Sequence, residues 1–563
     1  MVRESERCEE DRRSVTRGIE PGASTQQSEL TDAGRICGAN RRATGVSLPA
    51  DRNNCPSVGR INFAAVSQCC ILTGPETGGS SVRLILLRAC LVILAGLFSG
   101  LTVEVHAQAC VSGGACNPSS LNKVLYVDGV TYSLQSAIAA ANSSGNTTVI
   151  VPSNQTVSTG LTLTGTGVAL TCQNHATLTA GGPGFWMVNL SGATESVENC
   201  GFSPGGHSGA HAILIEGATN PNIEGNTISG FKSGNGSIYL VGTSNAIVRN
   251  NRITAGTGGP DGIFGEKNTI DTTVDGNYVD ESLGAPAAHA IGFHSTVASQ
   301  SVSGTKVVNN TILAGNNFCF EIGPFGGLTP GRVVVGNNTC RLTKNGGSGG
   351  YSVCVSGSSI TGNTFDANGF TAMIAAYEIA TSSNTSVVGN SATIGQAWAS
   401  VATAAVAINQ STGISFTGNT INGWGGGNAL AVAGWGVAVT TGGVANTLVS
   451  NNIISGNVLV FPKGHASGGI FQQCQTSGSV CSNNSYSGNV LIGDGTPNSL
   501  GFRLENDTGT MQNTLISGNS ITGTNYGVYV WNATVVGTHI YYNLFNTTSS
   551  NIIDNGTGTT KTP

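Results

Sequence analysis

Between residues 211 and 231 the chain reads HAILIEGATNPNIEGNTISGF, with apolar and polar positions alternating in three short runs. The alternation predicts a strand over 212–216, a turn over 217–221 and a second strand over 222–224. A tight bend at Gly225-Asn226 and a third strand over 227–229 complete the unit. The next segment, GSIYLVGTSNAIVRNNRITAG, repeats the plan, and VDGNYV, VVNNTI, VVGNNTC, ITGNTF and ISGNSI carry the same bend later. Asn recurs at 199, 226, 251, 277, 310, 338, 363, 390, 419, 452, 484, 519 and 543. A loose period of roughly 25–35 residues suits a solenoid whose strands keep register while its turns swell. The apolar residues around each Asn, such as Ile223/Ile228 and Val248/Ile253, are expected to point inward as stacks. The Asn itself is expected to take the left-handed bend, which Asn and Gly tolerate best. The sequence therefore predicts an all-β parallel β-helix of about thirteen coils, one per Asn, over 146–555.

Ahead of the repeats, Leu134, Ala137, Ile138 and Ala141 fall on one helical face, and Val149-Ile150-Val151 begins a strand. A helix here predicts an N-terminal cap over 110–145 that covers the open end of the first coil. The segment Leu134-Gln135-Ser136-Ala137-Ile138 followed by Val149-Ile150-Val151-Pro152 resembles the N-terminal cap of pectin-lyase-like right-handed parallel β-helix proteins. The resemblance extends over essentially 123–555 and implies a right-handed coil. It also implies a substrate groove along the first strand of each coil and its flanking loops. The motifs that would fix an activity are missing. There is no Asn-Thr-Asp, Asp-Asp, Gly-His-Gly, Arg-Ile-Lys set of the polygalacturonases and no Asp-Pro-His-Glu run of the alginate epimerases.

Composition divides the chain near residue 110. Of 563 residues only 9% are charged and 82 are glycine, and residues 1–109 hold 12 of the 24 Lys/Arg. Residues 1–80 are Arg-rich without periodicity, which predicts a disordered extension or a mis-assigned start. Residues 81–109 follow the plan of a signal peptide: Arg83 and Arg88, an apolar run over 89–101, and small-residue sites ending at Ala107 and Ala109. Ala107 stands where a lipid-anchoring signal before Cys110 would prefer Leu. The expected product is secreted, periplasmic or surface-bound, with no membrane span after signal removal and a short tail over 556–563. A net charge of −5 without a basic stripe gives no support to nucleic-acid binding. Export makes disulfides possible, with Cys172/Cys200 one coil apart, Cys474/Cys481 in one turn and Cys110/Cys116 beside the cap. Cys319, Cys340 and Cys354 leave one over, and Cys340 is expected as a buried thiol. No spacing suggests a metal site. No cofactor is expected; Ca²⁺ is possible, but without a clear cluster.

Scarce charge makes each charged residue informative. Aligning first strands puts HAILIE, GSIYLV, DGIFGE and HAIGFH in adjacent coils. Asp261 and His289 then share one rung, Glu266 and His294 another, at the ~4.8 Å spacing of neighbouring strands. Carboxylate and imidazole side by side can tune each other for acid/base work, so Asp261, Glu266, His289 and His294 are the expected catalytic residues. Glu216, Tyr239 and Glu321 on the same strand column are expected to contact substrate, with Arg332, Arg341 and Lys344 holding its charge. Tyr239, Phe264, Tyr529 and Trp531 are expected as exposed aromatics for sugar rings. The row Glu224, Arg249, Asp275 reads as a surface salt-bridge ladder with a structural role. The expected function is a secreted carbohydrate-active protein, a polysaccharide lyase, glycoside hydrolase or epimerase. The alternative is a non-catalytic adhesin or carbohydrate-binding solenoid, favoured by low charge and missing motifs. N-terminal sequencing of the exported protein should give a chain starting just after Ala107 or Ala109. Recovery of a mature form that retains residues 1–80 would contradict this reading.

Overall fold

The computed structural model describes residues 123–286, 288–315, 317–344, 349–367, 370, 375–394, 404–424 and 434–562. The extension, the signal segment and Cys110/Cys116 lie outside them. The described chain winds as a parallel β-solenoid. Each coil contributes one strand to each of three stacked sheets, and every strand pairing is parallel. Sheet I has 15 strands and includes His211–Glu216, sheet II has 17 and includes Asn222–Glu224, and sheet III has 15 and includes Thr227–Ser229. There are more coils than repeating asparagines because the first coils carry other residues at the bend. Among the described residues, no helix is long and apolar enough to cross a membrane.

The inward columns are those the alternation predicts. Ile213, Ile238, Ile263 and Ile291 stack in sheet I, and Ile223, Val248, Val274 and Val307 in sheet II, all fully buried. The helix Leu134–Ser144 buries Leu134, Ala137, Ile138 and Ala141. It packs on the strands Lys123–Tyr126, Thr147–Val151 and Leu161–Leu163. Its first turn is capped by the Ser133 hydroxyl, which accepts from the Ser136 N–H, and it ends at Gly145 with φ 62°.

The corner between sheets II and III is a continuous buried column of asparagines. Asn251 Oδ1 accepts both the backbone N–H and the Nδ2 amide of Asn226, each at 3.0 Å. Asn226 Nδ2 also donates to the Val197 carbonyl at 2.9 Å. The same contacts repeat from Asn251 to Asn277, Asn310, Asn338, Asn363, Asn390 and Asn419. They continue through Asn457, Asn489, Asn519 and Asn543. Every backbone group the bend would orphan is thereby paired, which a buried turn requires.

Five details differ from the sequence reading. The left-handed residue is the one before the ladder Asn: Gly225 (φ 67°), Asn250 (φ 55°) and Gly276 (φ 66°). Asn199 is such a residue (φ 57°) and not a rung. Its coil puts Cys200 at the ladder position, with the Cys200 N–H donating to Asn226 Oδ1 at 2.9 Å. Asn452 and Asn484 belong to a second ladder at an extra corner, where a fourth sheet of four short strands, beginning with Leu448–Ser450, enlarges the last coils. Cys172 and Cys200 are bridged. Cys340 is bonded to Cys319 rather than standing as a thiol, and Cys354 is the cysteine outside that bridge. Cys474 and Cys481 are buried thiols, not a staple.

Two predictions follow from the buried polar groups. Asn338→Asp keeps shape and acceptors but loses the amide that donates to Val307 and Asn363. It should cost about 3 kcal/mol in denaturant unfolding, as much as Asn338→Ala; a neutral Asp variant would rule out the amide's role. Glu195 is fully buried, with one oxygen accepting from the Gly192 N–H at 2.6 Å and the other without a hydrogen-bond partner. Burial pushes its carboxyl up to about 7 against that bond. Because its folded value is raised, the stability it contributes at acid pH is lost as pH rises through about 7. Glu195→Gln should therefore gain on the wild type by on the order of 1–2 kcal/mol at pH 8 but not at pH 4, read from thermal melts at both.

Candidate functional site

Parallel register places one coil's first strand directly against the next. Ile263 pairs with Ile291, so Asp261 and His289 share a level, and Gly292 pairs with Glu321 in the following coil. On the outer face of sheet I these residues meet. The His289 backbone N–H donates to Asp261 Oδ1 at 2.7 Å, and His289 Nδ1 lies 3.5 Å from Asp261 Oδ2, an ion-pair distance rather than an aligned hydrogen bond. On its other side His289 Nε2 makes a close ion pair with Glu321 Oε2, which also lies 3.2 Å from His294 Nε2. The Asn317 amide nitrogen is 2.9 Å from His289 Nε2. Phe325 stacks on the His294 ring with centroids 3.9 Å apart, and Phe264 meets it edge-on at 4.9 Å. The side chains of Asp261, His289, His294 and Glu321 keep 10–16% of their surface exposed, so the cluster is nearly dry while each side chain still reaches solvent.

The electrostatics follow from this packing. Burial pushes the His289 imidazole toward neutrality, but the Glu321 and Asp261 carboxylates overcome it and raise its pKa to about 10. Burial likewise opposes ionisation of Glu321, and His289 and His294 hold its carboxyl well below the usual range. Close by lies Glu281, 1% exposed, with no hydrogen-bond partner for either carboxyl oxygen. Burial, with Asp261 and Asp280 adding repulsion, pushes its carboxyl well above the ordinary value. The spacing of the sequence pointed to neither Glu281 nor Asn317. Both lie in turns, where coil length varies and register cannot be extrapolated. The available signal for Glu281 was its place in the enlarged turn after Tyr278–Asp280.

The expected residues separate into those gathered here and those held elsewhere. Asp261, His289 and His294 come together, and Glu321, expected as a substrate contact, is the centre of the cluster. Glu266 is paired in register with His294, yet its carboxylate accepts from the Tyr239 hydroxyl and lies 3.5 Å from Lys267 Nζ. Glu216 is exposed at the end of its strand, two coils from Glu266. The three basic residues do not converge. Arg332 Nη2 is 3.4 Å from Asp271, Arg341 reaches Asp366 on sheet III at 3.9 Å, and Lys344 Nζ donates to the Ser282 carbonyl at 3.1 Å. Of the anticipated ladder, Arg249 pairs with Glu224 at 2.6 Å, while Asp275, in register with Arg249, accepts from the Asn309 amide at 2.8 Å.

The aromatic residues differ from expectation. Tyr239 and Phe264 are buried, and with Trp186 they stack ring upon ring along the solenoid axis at 5.8 Å. Their faces cover one another and are not offered to a sugar. Trp531 has the Arg503 guanidinium over its ring at 4.0 Å, and Arg503 pairs with Glu505 at 2.8 Å. This second polar group on sheet I was also missed. Burial pushes Glu505 up to about 7, with Arg503 opposing.

Chemically, carboxylates and imidazoles in hydrogen-bond reach can pass protons to a bound substrate or hold a cation. Among the described residues, His289, His294 and Glu321 form the group whose donor atoms lie close enough to hold a metal, all within 4.8 Å of one another.

No family model and no curated protein matches this chain. Several solved structures are similar to it. The catalytic unit of a GH87 α-1,3-glucanase from Streptomyces thermodiastaticus has 14% identity, 80% of this chain and 70% of that chain covered, and a TM-score of 0.42. The Dettilon tailspike protein has 13% identity, coverages of 75% and 68%, and a TM-score of 0.34. The Streptococcus pneumoniae surface adhesin PfbA has 13% identity, coverages of 70% and 90%, and a TM-score of 0.33. Likenesses this distant carry no argument about activity, which has to come from the site.

Proposed function

We propose that this protein is an exported carbohydrate-active solenoid that binds a polysaccharide along the outer face of sheet I and acts on it at the Asp261–His289–His294–Glu321 cluster. The observation that carries the reading is the cluster itself. In a chain with 9% charged residues, two imidazoles and two carboxylates are packed together nearly out of water. Such groups lose hydration that their mutual attraction barely repays, and an apolar set of the same volume would be as stable or more so. Charged groups held at that cost and still reaching solvent support a working site. A chain of linked sugars suits this face, because it is a flat run of strands repeating every ~4.8 Å along the axis. The bridges Cys172–Cys200 and Cys319–Cys340 favour an oxidising compartment and so support export.

Lysis, hydrolysis and epimerisation each need a group that moves a proton at the sugar ring or the glycosidic oxygen, and the cluster supplies such groups. The test is a panel of neutral and uronate polysaccharides, assayed for reducing ends and for the absorbance of unsaturated uronates. Glu321→Gln should lower turnover about 100-fold or more with the circular-dichroism spectrum unchanged, while Arg341→Gln, on sheet III, should leave it within twofold. Binding without turnover, indifferent to Glu321→Gln, would overturn catalysis in favour of an adhesin.

A further inference from the structure

We propose that His289, His294 and Glu321 form a binding centre for a divalent transition-metal ion, an inference that rests on the same site as the functional reading above and deepens it. Each residue offers one donor atom, and the three lie within 4.8 Å of one another. Two imidazoles and one carboxylate are the donor set of zinc and its first-row neighbours, whereas Ca²⁺ wants six to eight oxygens. Donors bound tetrahedrally at ~2.1 Å lie about 3.4 Å apart; His294 Nε2 and Glu321 Oε2 stand 3.2 Å apart, while the direct contact of His289 Nε2 with Glu321 Oε2 must open to admit an ion.

The surroundings fix the ligands as a metal site needs. The Asp261 carboxylate faces Nδ1 of His289, so Nε2 is the nitrogen aimed at Glu321, as in carboxylate–histidine–metal arrangements. The backbone bond from the His289 N–H holds that carboxylate in place. Phe264 and Phe325 fix the plane of the His294 ring. Gly292, in register with Phe264 and Glu321, makes room for the Phe264 ring, from which a Cβ there would stand 3.0 Å. The Asn317 amide nitrogen, 2.9 Å from His289 Nε2, must turn aside, while its oxygen accepts from the Phe318 N–H at 2.9 Å. An ion held by three protein donors keeps positions for a substrate oxygen, which it would polarise as a Lewis acid.

The experiment is calorimetric titration of the intact secreted protein, stripped with a chelator, with Zn²⁺, Mn²⁺ and Ni²⁺, and with Ca²⁺ as comparison. One transition-metal ion per chain should bind with micromolar or tighter affinity and Ca²⁺ far more weakly. His294→Ala and Glu321→Gln should each weaken binding about 100-fold or more, and Asp261→Asn about 10-fold, because it alters only the carboxylate behind His289. His175→Ala, at an exposed histidine, should change nothing. Wild type that takes up no ion, or binding indifferent to His294→Ala and Glu321→Gln, would overturn the inference. Should the stripped protein turn over polysaccharide and take up no ion, the functional reading stands and the metal centre falls. Should one ion bind at these residues without turnover of any glycan, the reverse holds.

Discussion

The asparagine column at the corner of sheets II and III is the constraint on which the rest depends. A solenoid must bend its chain inside a dry interior in every coil, and each bend exposes backbone N–H and C=O groups to the core. One amide per coil answers both, accepting from the coil before and donating to the coil after. Because each rung bonds to the next, a slip of one residue would orphan several buried groups at once. The column therefore fixes register as well as stability.

Register is what makes a site possible. Asp261, His289 and Glu321 are far apart in sequence, and they meet because successive first strands are locked side by side on sheet I. The aromatic stack of Trp186, Tyr239 and Phe264 leads up to the cluster, meets His294 and continues to Phe325 on its far side. It acts as a wall that holds the imidazole, and its buried faces leave recognition of a ligand to the polar edge.

The fold was readable because a bend that recurs in every coil must use the same chemistry each time, so Asn226 and its successors stand out. What misled was position within the bend. The left-handed demand falls on the preceding residue, so Asn199 looked like a rung when Cys200 holds that place. Asn452 and Asn484 likewise looked like the main ladder because the extra corner in the last coils needs the same solution. In the site, the Asp261/His289 rung and the outward Glu321 were legible from alignment of strands. Glu281 and Asn317 were not, since turns of variable length carry no register. Arg332 and Arg341 were misjudged for a related reason: closeness in sequence says little about which side of a coil a residue occupies, and they lie at a turn and on sheet III.

The central claim is that the outer face of sheet I holds a glycan at the His289–His294–Glu321 cluster. Its most direct measurement is a crystal structure of the Glu321→Gln variant soaked with oligosaccharides of whichever polysaccharide the protein engages. The account predicts a saccharide along sheet I, with a ring or glycosidic oxygen in hydrogen-bond reach of His289 or His294. A saccharide bound on sheet II or III, or at the Arg503–Glu505 group with the His289 cluster empty, would contradict it.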